Sequence, residues 1–248
     1  MLDKAPWHFG MKYAGQTTEW LPTDTEENYQ KLLQDPKHQE HFRQHGWDRP
    51  GAITYKINSN GFRAEEFDPN VASIVTLGCS YSVGIGLPLE SIWPTLVAQE
   101  IGLTVYNLSW GGASADTCFM LAKYWVPRLL PKLVVMCAPP KHRFDLVTED
   151  PCTPFYTVMP GSDSTSDKSV QTWLVNDRNA DLNNAKNKLA VQGLCAELGI
   201  KCQTYDAHDY FACSREEIGY ARDYMHAGPE GHKIFAERVM DDWRKKHT

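Results

Sequence analysis

The chain has 248 residues, a formal net charge of -6 and an isoelectric point near 5.8. At 42% hydrophobic and 23% charged residues, it has the composition of a soluble globular protein long enough for one sizeable α/β domain. The acidic balance argues against a nucleic acid backbone as the main partner, since that would favour a basic stripe. No run of about 18 apolar residues exists, and Met1 to Pro6 lacks an apolar signal core, so the expectation is a cytoplasmic protein without a membrane span. Cysteines 79, 118, 137, 152, 195, 202 and 213 form an odd set with no Cys-x-x-Cys pair. That pattern predicts reduced thiols rather than a disulfide frame or a zinc site.

In chain order, residues 1–70 read as an N-terminal arm. Trp7, Phe9, Tyr13, Trp20, Tyr29 and Trp47 are scattered among polar residues, as expected of anchors packed on a main domain, with sugar platforms as the competing reading. A helix is predicted from Glu26 to about His45, and Ile53, Tyr55 and Ile57 alternate ahead of the Asn60-Gly61 turn. From residue 71 to 248 the pattern becomes strand, helix, strand, helix, which predicts a parallel sheet with helices on both faces. Val71 to Leu77 is the first buried strand. Ser91 to Ile101 reads as a helix, Thr104 to Leu108 as a strand, and Ser114 to Leu130 as a helix with Cys118, Leu121, Ala122 and Trp125 on one face. Leu133 to Cys137 is a further buried strand, bounded by Pro131 and by Pro139-Pro140.

Residues 150–183 lack clear periodicity and contain the polar run Gly161 to Asp167, so a long loop or lid is predicted there. Ala190, Val191, Leu194, Cys195 and Leu198 define a helix closed by Gly199, and Lys201 to Tyr205 a strand. The last helix begins after Gly228-Pro229 and carries Ala236, Val239, Met240 and Trp243 at core spacing.

Two segments suggest chemistry. Ser80 follows the first strand in Gly78-Cys79-Ser80, and Asp223-Tyr224-Met225-His226 precedes the last helix. A serine nucleophile requires an imidazole to take its proton and a carboxylate to hold that imidazole in one tautomer. Ser80, His226 and Asp223 are the candidates for these roles. The three-residue spacing of Asp223 and His226 sets them side by side on a helical turn, with the second ring nitrogen free for Ser80. Each segment alone has an ordinary structural explanation, a strand-end turn or a capping Asp. Cys79 is a weaker candidate nucleophile. His142, His208 and His232 have no metal-ligand spacing, and Gly84-Ile85-Gly86 lacks the Lys-Ser/Thr of a phosphate loop, so no metal and no cofactor are expected.

These motifs resemble the SGNH hydrolases, also called the GDSL lipase/esterase family, over about residues 71–248. Gly78-Cys79-Ser80 is similar to the nucleophile block, Asn107-Leu108-Ser109-Trp110-Gly111-Gly112 to the second block, and Asp223 to His226 to the closing Asp-x-x-His. Ala227 to His232 and Asn58 to Arg63 resemble family flanks. The resemblance implies a flavodoxin-like three-layer α/β/α sandwich with its site at the C-terminal strand ends. It also implies ester hydrolysis through an acyl-serine, with the Ser80 and Gly112 amides in the oxyanion hole. The substrate class it implies is a small-molecule or glycan ester, with O-acetyl groups on carbohydrate preferred.

The chain departs from the family at Cys79, where an Asp is usual, and in the third block. There the expected Asn is absent from Ala138-Pro139-Pro140-Lys141-His142-Arg143, and by register Lys141 takes its place, with His142 and Arg143 as further cationic substitutes. Loss of one oxyanion donor costs about 10²- to 10³-fold in turnover. The alternative expectation is therefore a weak or inactive relative serving as a glycan-binding or structural module.

Overall fold

A computed structural model describes residues 8–147, 155–159, 168–211 and 215–245. Near the N-terminus a short 3-10 turn, Phe9–Tyr13, leads to strand β1 (Thr17–Thr18) and helices α1 (Glu26–Leu32) and α2 (Pro36–His45). The single helix expected over 26–45 is two. Asp35 is extended at φ -97° and accepts from the Lys37 N–H, with Pro36 beside it, so the chain stops and restarts there. Strand β2 (Tyr55–Lys56) pairs antiparallel with β1.

The main sheet begins with β3 (Ser73–Leu77), followed by α3 (Ser80–Val83), α4 (Trp93–Ile101), β4 (Thr104–Asn107), α5 (Ala115–Leu129) and β5 (Leu133–Ala138). A hairpin of β6 (Phe144–Val147) and β7 (Phe155–Val158) comes next, then α6 (Lys168–Leu174), α7 (Asp177–Glu197), β8 (Lys201–Asp206), the short turns α8 (Ala207–Phe211) and α9 (Arg215–Ile218), and α10 (Pro229–Lys245). The stretch expected to be a long loop thus contains β7, α6 and the start of α7, while the polar run 161–167 lies outside the described residues. Among the described residues no helix is long and apolar enough to cross a membrane.

Strands β4-β3-β5-β8 form a parallel sheet in that spatial order. All residues of β3 and β5 are buried, because both faces are covered. The twofold period of a strand sends alternate side chains to two cores. Val75, Leu77, Val134 and Met136 pack with Cys118 and Leu121 of α5 and Val191 and Cys195 of α7. Ile74, Leu133, Val135 and Cys137 pack with Trp93 and Val97 of α4 and Phe235 and Val239 of α10. The fold is therefore a three-layer α/β/α sandwich. With β4 and β5 on opposite sides of β3, the connections after β3 and β5 diverge and leave a crevice at their C-terminal ends, where open α/β sheets bind ligands.

Residues of the N-terminal segment build a third core. Leu21, Phe42, Trp47, Ile53, Tyr55 and Ile57 pack with Val83, Ile85, Leu87, Ile92, Trp110 and Ala221. Polar groups join the two parts below this layer. Arg63, 2% exposed, donates to the carbonyls of Thr54, Val83, Gly84 and Leu87. Arg222 and Asp24 form a buried ion pair, with Nε–Oδ1 at 2.8 Å and Nη2–Oδ2 at 2.7 Å, and the Tyr55 hydroxyl also donates to Asp24.

Candidate active site

Ser80 is the first residue of α3, immediately past the end of β3. The turn that presents it requires Gly78, since a Cβ there would lie 2.2 Å from Ser82 Oγ and 3.0 Å from the Cys137 carbonyl. Cys79 is extended and buried at this turn. The loop after β4 is braced by Asn107, whose Nδ2 donates to the Ser82 carbonyl at 2.8 Å and whose Oδ1 accepts from Thr76 Oγ1 and the Ser109 N–H. That loop brings Gly111 and Gly112 to the cavity that Ser80 also lines. Gly112 has φ +79°, a left-handed conformation that favours glycine. The Ser80 and Gly112 amide N–H groups have no hydrogen-bond partner among the described residues.

Asp223 and His226 sit in a turn ahead of α10 rather than on the helical turn expected from their spacing. Tyr224, at φ +57°, folds the chain back between them. Asp223 Oδ1 accepts from the Met225 and His226 N–H groups, each at 3.0 Å, and Oδ2 accepts from His226 Nδ1 at 2.6 Å. The Asp223 side chain is wholly buried. Burial opposes its charge, but the hydrogen bond and charge of His226, the Thr23 hydroxyl and the Met225 amide together hold its carboxyl below the usual range. With Nδ1 committed to the carboxylate, Nε2 is the imidazole nitrogen left for chemistry. Tyr81 of α3 meets the imidazole edge-on, with ring centroids 5.4 Å apart.

A cavity of about 540 Å³ brings these groups together. Ser80, His226, Gly111 and Gly112 line it, with Leu21, Val83, Ile85, Trp110, Met159 and Met225 as apolar walls. Thr23 and Arg143 complete the polar part of the lining. Such a size and composition suit a small-molecule site.

Lys141 is not part of this lining. Its ammonium is held by Asp181 at 2.8 Å and Asp177 at 2.9 Å, and it borders a neighbouring depression with His142, which contacts Asp177 at 3.3 Å. Register alone misplaces it because the chain turns at Lys141-His142 after β5. Arg143, two residues on, does line the cavity, and its Nη1 donates to the Ala113 carbonyl at 3.4 Å.

Thr23 and Asn28 had no local sequence signal. Thr23 Oγ1 donates to Asp223 Oδ2 at 2.6 Å, and Asn28 Nδ2 donates to the carbonyls of Thr23 and Asp223. Other candidates fall away from the cavity. Cys79, Cys118, Cys137 and Cys195 are buried free thiols, and burial pushes Cys118 and Cys137 well above their ordinary values. His232 is buried, accepts from the Trp93 N–H, and is pushed down to about 3 by burial. No group of three or more metal-ligating side chains exists among the described residues.

No protein-family model matches the chain, and no curated protein does. Among solved structures it is similar to an acetyl xylan esterase from the rumen bacterium Butyrivibrio proteoclasticus, at 12% identity over 71% of this chain and 64% of that one, with a TM-score of 0.41. It is also similar to a psychrotrophic esterase from Pseudoalteromonas sp., at 13% identity over 70% and 97% of the two chains and a TM-score of 0.38. A family two carbohydrate esterase from Cellvibrio japonicus shares 13% identity over 70% and 61%, with a TM-score of 0.36. The chain thus spans less than two thirds of the length of the Butyrivibrio enzyme. Similarities this distant leave the chemistry to be read from the side chains themselves.

Proposed function

We propose that the protein is a serine hydrolase of carboxylic esters, acting through an acyl-Ser80 intermediate in the manner of the SGNH hydrolases. The observation that carries this reading is the buried Asp223–His226 hydrogen bond of 2.6 Å, with His226 opening on the same apolar cavity as Ser80. In this reading the Ser80 hydroxyl attacks the ester carbonyl while His226 Nε2 takes its proton. The Ser80 and Gly112 N–H groups receive the developing oxyanion. His226 then returns the proton to the departing alcohol, and afterwards activates the water that releases the acid. Asp223, kept ionised, holds the imidazole in the productive tautomer and stabilises its charged form.

Arg143 supplies the third oxyanion donor in place of the missing Asn, as a cation lining this cavity. The pocket accommodates a small acyl group, and O-acetyl groups on carbohydrate are the preferred substrates. Residues 71–248 form the hydrolase-like unit and residues 1–70 an arm completing one wall of the site.

A fluorophosphonate label followed by peptide mapping tests the reading. An adduct on Ser80, lost in Ser80→Ala and weakened in His226→Ala, is the expected result. Absence of labelling in folded protein would instead favour a non-catalytic binding or structural module.

A further inference from the structure

The Asp223 carboxylate receives four hydrogen bonds, and one of them comes from far outside its own turn. Oδ1 takes the Met225 and His226 amides, while Oδ2 is shared by His226 Nδ1 and Thr23 Oγ1, both at 2.6 Å. Thr23 belongs to the N-terminal segment, and its backbone has φ +75°. A β-branched residue rarely adopts that region, and such an outlier persists only where its surroundings over-determine it. Here they do. Asn28 Nδ2 bridges the carbonyls of Thr23 and Asp223 at 3.1 and 3.2 Å, and the next residue, Asp24, is locked to Arg222. If this position served only the backbone, glycine would suit it better. If it served only packing, valine would fill the same volume. A hydroxyl aimed at the carboxylate oxygen used by His226 is what threonine adds.

We propose that Thr23 is a positioning residue for the Asp223–His226 pair, its hydroxyl fixing the carboxylate rotamer and sharing the negative charge on Oδ2. The proposal rests on the reading of His226 as the base of the site. Without the hydroxyl, more of the Oδ2 charge falls on the bond to Nδ1, so the imidazole holds its proton more tightly and the carboxylate is freer to turn. Among the described residues the imidazole also meets the Tyr81 ring from α3 and lies near His232 of α10, which burial keeps neutral, while Ser80 and Arg143 line the same cavity. Nearby Arg222 is neutralised by Asp24. None of these contacts involves the Thr23 hydroxyl.

The test is an NMR titration of the His226 ring nitrogens in the wild-type protein and in Thr23→Val, Thr23→Gly and Thr23→Ser, with kcat and KM for p-nitrophenyl acetate measured alongside. The His226 midpoint is expected to rise by about half a pH unit in Thr23→Val and Thr23→Gly, and to return toward the wild-type value in Thr23→Ser. Turnover should fall roughly 10-fold in the first two variants with KM changed little. If Thr23→Val does not fold, Thr23→Gly, which suits the left-handed backbone, gives the same readout. An unmoved midpoint in Thr23→Gly, or a Thr23→Ser shift as large as that of Thr23→Gly, overturns the proposal. Because the titration needs no turnover, a shifted midpoint in a protein that hydrolyses no ester sustains this inference and removes the hydrolase reading, whereas ester hydrolysis with an unmoved midpoint does the reverse.

Discussion

The Asp24–Arg222 pair offers the sharpest test of how the N-terminal segment is joined to the loop that carries Asp223. Asp24 is 1% and Arg222 2% exposed, so neither charge is screened by water. Arg222 spends its donors on Asp24 Oδ1, Asp24 Oδ2 and the Glu19 carbonyl, and its guanidinium lies 4.4 Å from the centroid of Trp20. In Asp24→Asn the size is kept and one acceptor survives, but the guanidinium becomes an uncompensated buried charge. Removing one partner of a buried pair costs about 3–5 kcal/mol. At about 2–4 °C per kcal/mol for a chain of this size, Tm should drop by roughly 6–20 °C. Urea titration at pH 7 with calorimetry measures both quantities. The double variant Asp24→Leu/Arg222→Met should recover much of the loss, because an apolar pair of similar volume removes the desolvation cost on both sides. A single-variant loss below about 1 kcal/mol with an unchanged m-value would refute the claim that this ion pair ties the two segments together.

Other expectations concern the cavity and pH. Arg143→Gln should lower kcat about 10²-fold if the guanidinium meets the oxyanion, whereas Lys141→Ala should leave kcat within about twofold, as its ammonium is engaged by Asp177 and Asp181; steady-state kinetics on p-nitrophenyl acetate compares them. Gly86→Ala should cost about 2–4 kcal/mol and weaken fluorophosphonate labelling of Ser80. Gly86 has φ +77°, and a Cβ would lie 3.0 Å from the Arg222 nitrogen and 3.2 Å from that of Asp223. Burial lowers His8 from 6.5 to about 4 and His232 to about 3. The unfolded chain therefore takes up protons below about pH 6.5 that the folded protein refuses, so their contribution is complete above that pH and is lost as pH falls toward 4 and 3. Denaturant midpoints measured from pH 7.5 to 4 should fall along this window, and His232→Gln should flatten the slope.

The sheet was legible because strands covered on both faces are largely apolar runs, as in Leu133 to Ala138 and, but for Thr76, Ile74 to Leu77. Helices α4, α5 and α10 followed from apolar faces of ordinary period. The first half of α7 did not, because apart from Ala180 its buried positions are asparagines. Asn183 and Asn187 face Asp116 of α5, donating to its carboxylate at 3.0 and 2.8 Å, which no hydrophobic pattern reveals. The β6–β7 hairpin is held partly by Asp145, which accepts from Ser114, Thr117 and Thr157, and that long-range polar cluster is equally silent in sequence. In the candidate site, the Asp223–His226 contact was readable from spacing, although a tight turn rather than a helix produces it. That Arg143 and not Lys141 lines the cavity depends on the path of the chain after β5, which register alone does not reveal. Thr23 was invisible because its partner lies 200 positions away.

That separation bears on how the protein acquires its competence. Hydrogen bonds from Thr23 and Asn28 to Asp223, and from Arg222 to Asp24, each close a loop of nearly two hundred residues, so they form only after the intervening sheet has ordered. During synthesis Ser80 emerges long before Asp223 and His226. In the proposed mechanism a nascent chain therefore holds its hydroxyl without a base, and fluorophosphonate labelling of Ser80 is expected only once the early and late segments have docked.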